Sequence, residues 1–192
     1  MWLLVGLGNI GAQYERTRHN AGFMALDAMI QHYGVQDMGK KFHAQTYKGM
    51  IDGVAVIALK PHTLMNRSGI SVGEAAAFFK IPPAQVIIIH DDLDLALAKM
   101  RVKCGGGHGG HNGLKDVDRV LGRDYWRVRV GIDRPNHAGQ VTSYVLSPFT
   151  AEEQQKINDV SDALARTLPW LLHGQAERMM TDVARMMQDA TP

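Results

Sequence analysis

Short apolar runs alternate along the chain with stretches that carry apolar residues on one helical face. Uninterrupted apolar runs at 3–7, 54–59 and 86–89 predict buried strands, because a strand covered on both faces has no polar side. Residues 97–103 and 126–132 alternate apolar with basic residues and predict strands with one exposed face. The run at 86–89 is β-branched and uncharged, so we expect it at the centre of the sheet.

Helical spacing of apolar residues accounts for most of the remaining chain. We expect Asn20 to cap the first helix and Gly34 to end it. Pro169 should kink or restart the helix that contains it, because proline lacks the backbone N–H that a helix needs. Further helices are predicted at 71–80, 114–121, 150–173 and 175–188.

The order of these elements predicts the fold class. Strands that alternate with helices indicate an α/β protein, here a single three-layer domain with a twisted, mixed and largely parallel sheet flanked by helices. A chain of 192 residues can bury one substantial core but is short for two. No linker or internal repeat divides it, so we predict one domain over 1–192 that ends in helices at 150–188.

Composition narrows the class of protein further. Hydrophobic residues make up 45% of the chain and charged residues 21%, which excludes disordered and fibrous proteins. No apolar run reaches the ~18 residues of a membrane span, and the N-terminus lacks the basic segment of a secretory signal. The single cysteine, Cys104, cannot form an internal disulfide. We therefore expect a cytoplasmic protein without a membrane partner.

The positive charge is unevenly distributed. Residues 99–134 contain nine Lys and Arg against four Asp, whereas the chain as a whole has a net charge of only +2. Such a zone is typical of a face that binds a polyanion. Unrelated solvent-exposed charges would produce the same count, so both interpretations stay open here.

A glycine-rich motif follows the first predicted strand. Residues 6–11 read G-x-G-x-x-G, the fingerprint of dinucleotide-binding folds. That fingerprint requires a helix to begin inside it and an acidic residue about 20 positions later at the end of a second strand. Residues 12–19 are polar and not amphipathic, and Asp27 falls inside the first predicted helix. We therefore expect the glycines to shape a loop that holds Asn9, and no nucleotide cofactor.

Polar residues cluster where several predicted strands end. These clusters are Asn9, Tyr14 and His19, then residues 60–69, residues 90–94, and Asn112. Because ligands of open α/β sheets bind beyond the carboxyl ends of strands, the clusters predict one site. The sequence has no G-x-S-x-G motif, and a His–Asp pair with Asn amides suits hydrolysis of an activated carbonyl by water.

A metal site is the alternative that the same residues leave open. Imidazole and carboxylate side chains of this region could ligate a divalent cation, namely those of His90, Asp91, Asp92, Asp94, His108 and His111. However, His111 follows five glycines, which make a poor rigid platform for Zn²⁺. The spacing therefore favours a site without metal or other cofactor.

Five blocks of sequence together resemble the bacterial peptidyl-tRNA hydrolases. The blocks occur in order within residues 3–150, and beyond residue 150 only helical pattern and chain length agree. They are Val5-Gly6-Leu7-Gly8-Asn9-x-Gly11 through Tyr14, residues 17–22 (TRHNAG), 65–69 (MNRSG), 90–94 (HDDLD) and 109–115 (GGHNGLK). Each block is weak evidence alone, but five in register are specific.

The resemblance implies a monomeric, metal-independent esterase of the cytoplasm. Such an enzyme cleaves the ester between a peptide and the terminal ribose of tRNA, which recycles tRNA from aborted translation. By resemblance, His19 is the general base, Asp91 holds it, and Asn9 helps to distinguish peptidyl-tRNA from unblocked aminoacyl-tRNA. The resemblance also implies roles in binding the substrate for Tyr14, Leu64, Met65, Asn66 and Asn112, and phosphate contacts for Lys103 and Arg129.

The sequence departs from the family pattern at four positions. Ile10 stands where proline is usual, and Leu64 replaces a common aromatic residue, so a stacking contact there is not expected. Ala96 and Ala98 replace proline and glycine, so the turn before Lys99 should differ. A non-catalytic RNA-binding module would keep the basic zone and is the competing interpretation.

Overall fold

The computed structural model describes residues 1–191, which form one seven-stranded sheet with helices on both faces. The strands are β1 Trp2–Gly6, β2 Gln36–Lys41, β3 Ala44–Ile51, β4 Val54–Pro61, β5 Val86–Asp92, β6 Met100–Cys104 and β7 Trp126–Gly131. The helices are α1 Ala21–Tyr33, α2 Ser68–Phe79, α3 Asn112–Leu121, α4 Val141–Val145, α5 Ala151–Leu172 and α6 Ala176–Asp189.

The strand order is β2-β3-β4-β1-β5-β7-β6. The four central strands β4, β1, β5 and β7 run parallel, whereas β2, β3 and β6 pair antiparallel with their neighbours. The arrangement confirms the predicted α/β fold class with a mixed sheet between two layers of helices. The carboxyl ends of β1, β5 and β7 therefore lie side by side.

Two cores, one on each face of the sheet, explain the uninterrupted apolar runs. Ile87 and Ile89 pack with the layer that contains α1 and α5, while Ile88 packs with the layer that contains α2 and α3. All three isoleucines have no exposed surface. Because alternate residues of one strand enter opposite cores, the strand has no polar position.

The edge strands differ most from the predicted elements. Strand β2 has the sequence QDMGKK, is mostly exposed, and was not predicted. It is held by backbone pairing with β3, which leaves no hydrophobic signature in the sequence. At the opposite edge, β6 begins at Met100 instead of residue 97, because the left-handed Ala98 (φ 61°) turns the chain just before it.

Asn20 stands at the predicted position but does not cap α1. Its Oδ1 accepts a hydrogen bond from the backbone N–H of Asn9 at 2.8 Å, and its Nδ2 donates to the carbonyl of Asn9 at 2.9 Å. The side chain thus fixes the loop after β1 in place of the helix terminus, so the capping prediction was wrong. Gly34 does end α1, in a left-handed conformation with φ 59°.

The glycine motif at 6–11 serves close packing in this fold, since a Cβ atom at Gly6 would lie 2.5 Å from the carbonyl oxygen of Gly22. Two short 3-10 turns, Ala12–Tyr14 and Arg18–Asn20, follow it, and α1 starts at Ala21. A Cβ atom at Gly22 would lie 2.3 Å from the carbonyl oxygen of Ile89, so glycine lets α1 rest directly on β5. This contact brings the turn before α1, which carries His19, to the carboxyl end of the sheet.

Pro169 lies inside α5 without restarting the helix, which runs unbroken from Ala151 to Leu172. A proline at 169 cannot donate to the carbonyl of Ala165, which would otherwise receive the helical hydrogen bond. The hydroxyl of Tyr33 in α1 donates to that carbonyl at 2.6 Å and replaces the missing amide. Burial and then the charge of Asp52 raise the pKa of Tyr33 to about 12, so the hydroxyl remains a donor at neutral pH.

Replacing Tyr33 with phenylalanine should lower the free energy of unfolding by about 1–2 kcal/mol, because the carbonyl of Ala165 loses its donor. Urea denaturation of the two proteins measures the difference. In a Pro169→Ala background the helix regains its own amide donor, so the same substitution should cost clearly less. Equal costs in both backgrounds would contradict the replacement of the amide by Tyr33.

Candidate active site

A cavity of about 450 Å³ opens at the carboxyl ends of β1 and β5. It brings together eight of the residues singled out from the sequence: Asn9, Tyr14, His19, Leu64, Met65, Asn66, Asp91 and Asn112. Lys103 and Arg129 do not line it. The structure therefore gathers the residues assigned to the acyl end of a substrate and separates them from those assigned to phosphate.

The Asp91 carboxylate lies between two imidazole rings. Its Oδ2 is 2.8 Å from Nδ1 of His19, and its Oδ1 is 2.8 Å from Nε2 of His111. The three side chains come from the turn before α1, from β5, and from the residue that precedes α3. Because His19 contacts Asp91 through Nδ1, its Nε2 is the nitrogen left for a ligand in the cavity.

His111 has only one tautomer that satisfies its contacts. Its Nδ1 accepts hydrogen bonds from the backbone N–H groups of Gly113 and Leu114, at 3.1 and 3.2 Å, and so caps α3. The proton of the neutral ring must then sit on Nε2, from which it is donated to Asp91. His111 is consequently a fixed donor and has no free nitrogen with which to act as a base.

Electrostatics shift the pKa values of His19 and His90, two histidines of the cavity, in opposite directions. Burial disfavours the cationic form of His19, but the charge of Asp91 and its hydrogen bond outweigh burial and raise the pKa of His19. Burial also opposes the ionisation of Asp91, yet His19 and His111 hold its pKa below the usual range. Burial and the neighbouring His111 lower the pKa of His90 to about 4, so His90 stays neutral.

Asn9 is locked by hydrogen bonds on both its backbone and its side chain. Asn20 binds its backbone, and its own Oδ1 accepts from the N–H of Met65 at 2.8 Å. Its Nδ2 is therefore the donor that remains for a ligand. The neighbouring Leu64 has φ 64° and ψ 158°, a strained conformation for a non-glycine residue, and leaves an apolar side chain 52% exposed at the cavity.

The side chains of His19, Asp91 and His111 also form a possible set of metal ligands. One ligand atom each of His19, Asp91 and His111 lies within 4.8 Å of the others. Asp94, which the sequence offered as a ligand, is not a member of this group within residues 1–191. A metal at Nε2 of His111 would displace the proton that its capped Nδ1 requires there, so the contacts favour a hydrogen-bonded triad.

The basic zone at 99–134 is not one free surface. Arg127 is 1% exposed and donates to Asp118 and to the carbonyl of Gly106, which anchors the glycine-rich loop. Arg129 donates through Nε to Asp92 at 2.7 Å. Lys103 lies exposed on β6, on the same face as Arg127, with which it pairs in register.

Sequence reasoning missed the roles of three residues in this region. That His111 binds Asp91 was not foreseen, Asn20 was expected to cap a helix, and Arg18 had no predicted role of its own. All three stand beside residues that were singled out, in the blocks 17–22 and 109–115. Their partners lie 20, 11 and about 130 positions away along the chain, so local pattern gave no signal for them.

The fold and the site together define an α/β protein in which a His–Asp pair faces a cavity lined by asparagine amides, an arrangement that suits a hydrolase. Comparison with known proteins agrees. The profile of the family Peptidyl-tRNA hydrolase matches residues 3–190. The chain is 47% identical over 188 residues to the peptidyl-tRNA hydrolase of Rhodospirillum centenum, covering 98% of this chain and 83% of the relative.

A second relative and a solved structure give the same result. The peptidyl-tRNA hydrolase of Bartonella henselae is 42% identical over 189 residues, 98% of each chain. The crystal structure of the Acinetobacter baumannii peptidyl-tRNA hydrolase is 38% identical with a TM-score of 0.91, covering 95% of this chain and 94% of that one. The chain belongs to the peptidyl-tRNA hydrolase family, which favours an enzyme over a non-catalytic RNA-binding module. No helix in residues 1–191 is long and apolar enough to cross a membrane.

Replacing Asp91 with asparagine should lower the pKa of His19 below its ordinary ~6.5, because burial then acts without the compensating carboxylate. An NMR titration of the His19 ring, assigned by its absence in His19→Ala, measures this shift. Asp94→Asn removes a carboxylate that lines the cavity without binding His19 and is the matched control. An unchanged pKa of His19 in Asp91→Asn would show that the pair does not control the base.

Proposed function

We propose that this protein hydrolyses the ester between peptide and tRNA in peptidyl-tRNA, as a cytoplasmic monomer that needs no metal or other cofactor. The observation that carries the proposal is the His19–Asp91 pair, whose free Nε2 faces a cavity lined by Asn9, Asn66 and Asn112. A direct assay is release of free tRNA from peptidyl-tRNA.

In the proposed reaction His19 is the general base. Its Nε2 takes a proton from a water as the water oxygen bonds to the ester carbonyl carbon, and Asp91 stabilises the imidazolium that results. Breakdown of the tetrahedral intermediate cleaves the carbon–oxygen bond to ribose, and the departing oxygen receives the proton from His19. Water and ester yield a peptide acid and a tRNA hydroxyl, so no covalent enzyme intermediate is required.

The asparagine amides serve the acyl end of the substrate. Since Oδ1 of Asn9 is occupied by Met65, Asn9 offers its Nδ2 as a donor to a peptide carbonyl or to the developing oxyanion. The α-ammonium group of an unblocked aminoacyl-tRNA is itself a donor and a cation, so it has no acceptor at this position. This difference supports the role of Asn9 in distinguishing the two substrates.

The residues outside the cavity serve the tRNA. Lys103 and Arg129 lie on the neighbouring strands β6 and β7, on one face of the sheet. Their positions support binding of backbone phosphates at a distance from the ester. Tyr14, Leu64 and Met65 also line the cavity and complete the proposed substrate site.

His19→Ala should reduce kcat by about 10²–10⁴-fold, the range typical of losing a general base, with little change in the affinity for peptidyl-tRNA. Rates of tRNA release and equilibrium binding measure the two quantities. The exposed His32 on α1 offers a matched control, and His32→Ala should behave as the wild type. A His19→Ala enzyme that keeps half of the wild-type turnover would contradict the assignment of His19 as the general base.

Exhaustive chelation should leave the rate of hydrolysis unchanged, because the proposed reaction uses only water, imidazole and amides. The test is the assay before and after dialysis against EDTA, with metal content followed by elemental analysis. Loss of activity that Zn²⁺ or Mn²⁺ restores would instead support a catalytic metal on His19, Asp91 and His111.

Replacing both Lys103 and Arg129 with alanine should raise KM for peptidyl-tRNA while kcat changes little, since phosphate contacts are shared by ground and transition states. Each lost contact should reduce the slope of log affinity against log salt by ~0.7–0.9. Arg166→Ala removes an exposed charge on α5 and is the control.

A peptidyl-adenosine fragment, which lacks the phosphates, separates two roles of Arg129. The double variant should cleave this fragment at the wild-type rate. Slower cleavage by Arg129→Ala alone would show that Arg129 acts by holding Asp92, which lines the cavity, and not by binding phosphate. An unchanged salt slope for full-length peptidyl-tRNA would contradict the phosphate contacts.

A further inference from the structure

Arg18, the residue before the proposed base, is buried instead of reaching solvent or tRNA. Its side chain is 9% exposed and does not line the cavity. Nη1 donates to Ser147 Oγ at 2.8 Å and to the carbonyls of Ser147 and Pro148 at 3.2 and 2.6 Å. Nη2 donates to Glu153 at 2.8 Å. One guanidinium therefore binds four acceptors that follow α4.

Aromatic rings complete the surroundings of this guanidinium. Its central carbon lies 4.5 Å from the ring centroid of Tyr144 and 5.4 Å from that of Phe149. Its partner Glu153 also closes the N-terminus of α5, where it accepts from the backbone N–H of Thr150 at 2.9 Å. The guanidinium group is planar, binds several acceptors at once and stacks on aromatic rings. The ammonium group of lysine cannot make the same contacts.

Backbone hydrogen bonds reinforce the same connection. The N–H of Arg18 donates to the carbonyl of Ser147 at 3.0 Å, and that of Phe149 donates to Arg16 at 3.0 Å. Thr17 and Pro148 form an isolated antiparallel bridge between these bonds. The turn that carries the base and the segment 147–149 are therefore joined as a short two-stranded connection, to which the Arg18 side chain adds further hydrogen bonds.

The residues that directly precede the attached segment 147–149 form one wall of the cavity. Val141, Thr142, Val145 and Leu146 line the cavity from α4 and the residue after it. The hydroxyl of Tyr144 donates to the carbonyl of Ile132 at 2.6 Å, which fixes this wall to the end of β7. Arg18 supplies the second attachment, on the side of His19.

We propose that Arg18 is a positioning residue, which fixes the wall formed by residues 141–146 relative to Nε2 of His19. The proposal rests on the function proposed above and adds to it a residue whose side chain contacts neither the cavity nor the ring of His19. A substrate held between wall and base reacts only at the correct separation, and small misplacements of reacting groups cost large factors in rate. The wall thus sets the distance at which the ester meets the base.

Three measurements on Arg18→Lys and Ser147→Ala test this role. Arg18→Lys keeps the positive charge but loses the planar guanidinium with its several donors. We expect kcat per folded molecule to fall by about tenfold or more. Ser147→Ala removes one of the four acceptors of Arg18 and the hydrogen bond that the hydroxyl donates to the carbonyl of Tyr144, so its loss should be smaller and in the same direction. The pH at which activity is half-maximal should not move, because Asp91 and not Arg18 sets the basicity of His19. The salt dependence of KM should also stay constant.

Tyr33→Phe provides the control for stability, since Tyr33 binds Ala165 and does not line the cavity. It should lower the free energy of unfolding while kcat per folded molecule stays at the wild-type value. If Arg18→Lys behaves in the same way, Arg18 is merely structural and the proposal is overturned. A changed salt slope would overturn it as well, because Arg18 would then contact tRNA.

Amide hydrogen exchange of the protein without substrate tests the attachment by Arg18 independently of the proposed function. Arg18→Lys should speed exchange of the N–H of Phe149, which bonds to Arg16, and of the amides in 141–146. Faster exchange with an unchanged kcat would overturn the positioning role even though the attachment exists. A wild-type protein that fails to release tRNA from peptidyl-tRNA would overturn the proposed function, and the exchange result would still report on the attachment.

Discussion

The buried carboxylate of Asp91 is the group on which the rest of the site depends. It is only 3% exposed, and each of its oxygens receives one imidazole N–H. Removing either donor would leave part of a buried charge uncompensated, which is strongly destabilising. The turn before α1, the end of β5 and the start of α3 must therefore meet at one point, and the cavity forms around that point.

The two imidazoles that share this carboxylate differ because of what binds their second nitrogen. In His111 that nitrogen accepts two backbone N–H groups of α3, so the ring is committed to donating. In His19 it faces the cavity, so the ring can accept a proton from a ligand. Helix capping at one ring thus decides which histidine is available for chemistry, although both contact Asp91 at the same 2.8 Å.

Arginine has an internal role on both sides of the site. Arg127 is buried under α3 and binds the carbonyl of Gly106, so it holds the glycine-rich loop that leads to His111. Arg18 binds the segment after α4 and so connects His19 to the opposite wall. In both cases one guanidinium donates to carbonyls of irregular backbone outside the helices and strands. A count of positive charges along the sequence cannot separate these residues from Lys103, which remains exposed.

The sequence by itself determined five strands of the sheet, the main helices and the residues of the His19–Asp91 pair. Burial on both faces of a strand leaves an apolar run such as 86–89, and five motif blocks carry the family resemblance. Strand β2, the role of Asn20 and the uninterrupted α5 were decided only by tertiary structure. Backbone pairing holds β2, the loop after β1 claims Asn20, and Tyr33 replaces the amide that Pro169 lacks. These are contacts between distant residues, and local periodicity records burial but not the identity of a hydrogen-bond partner.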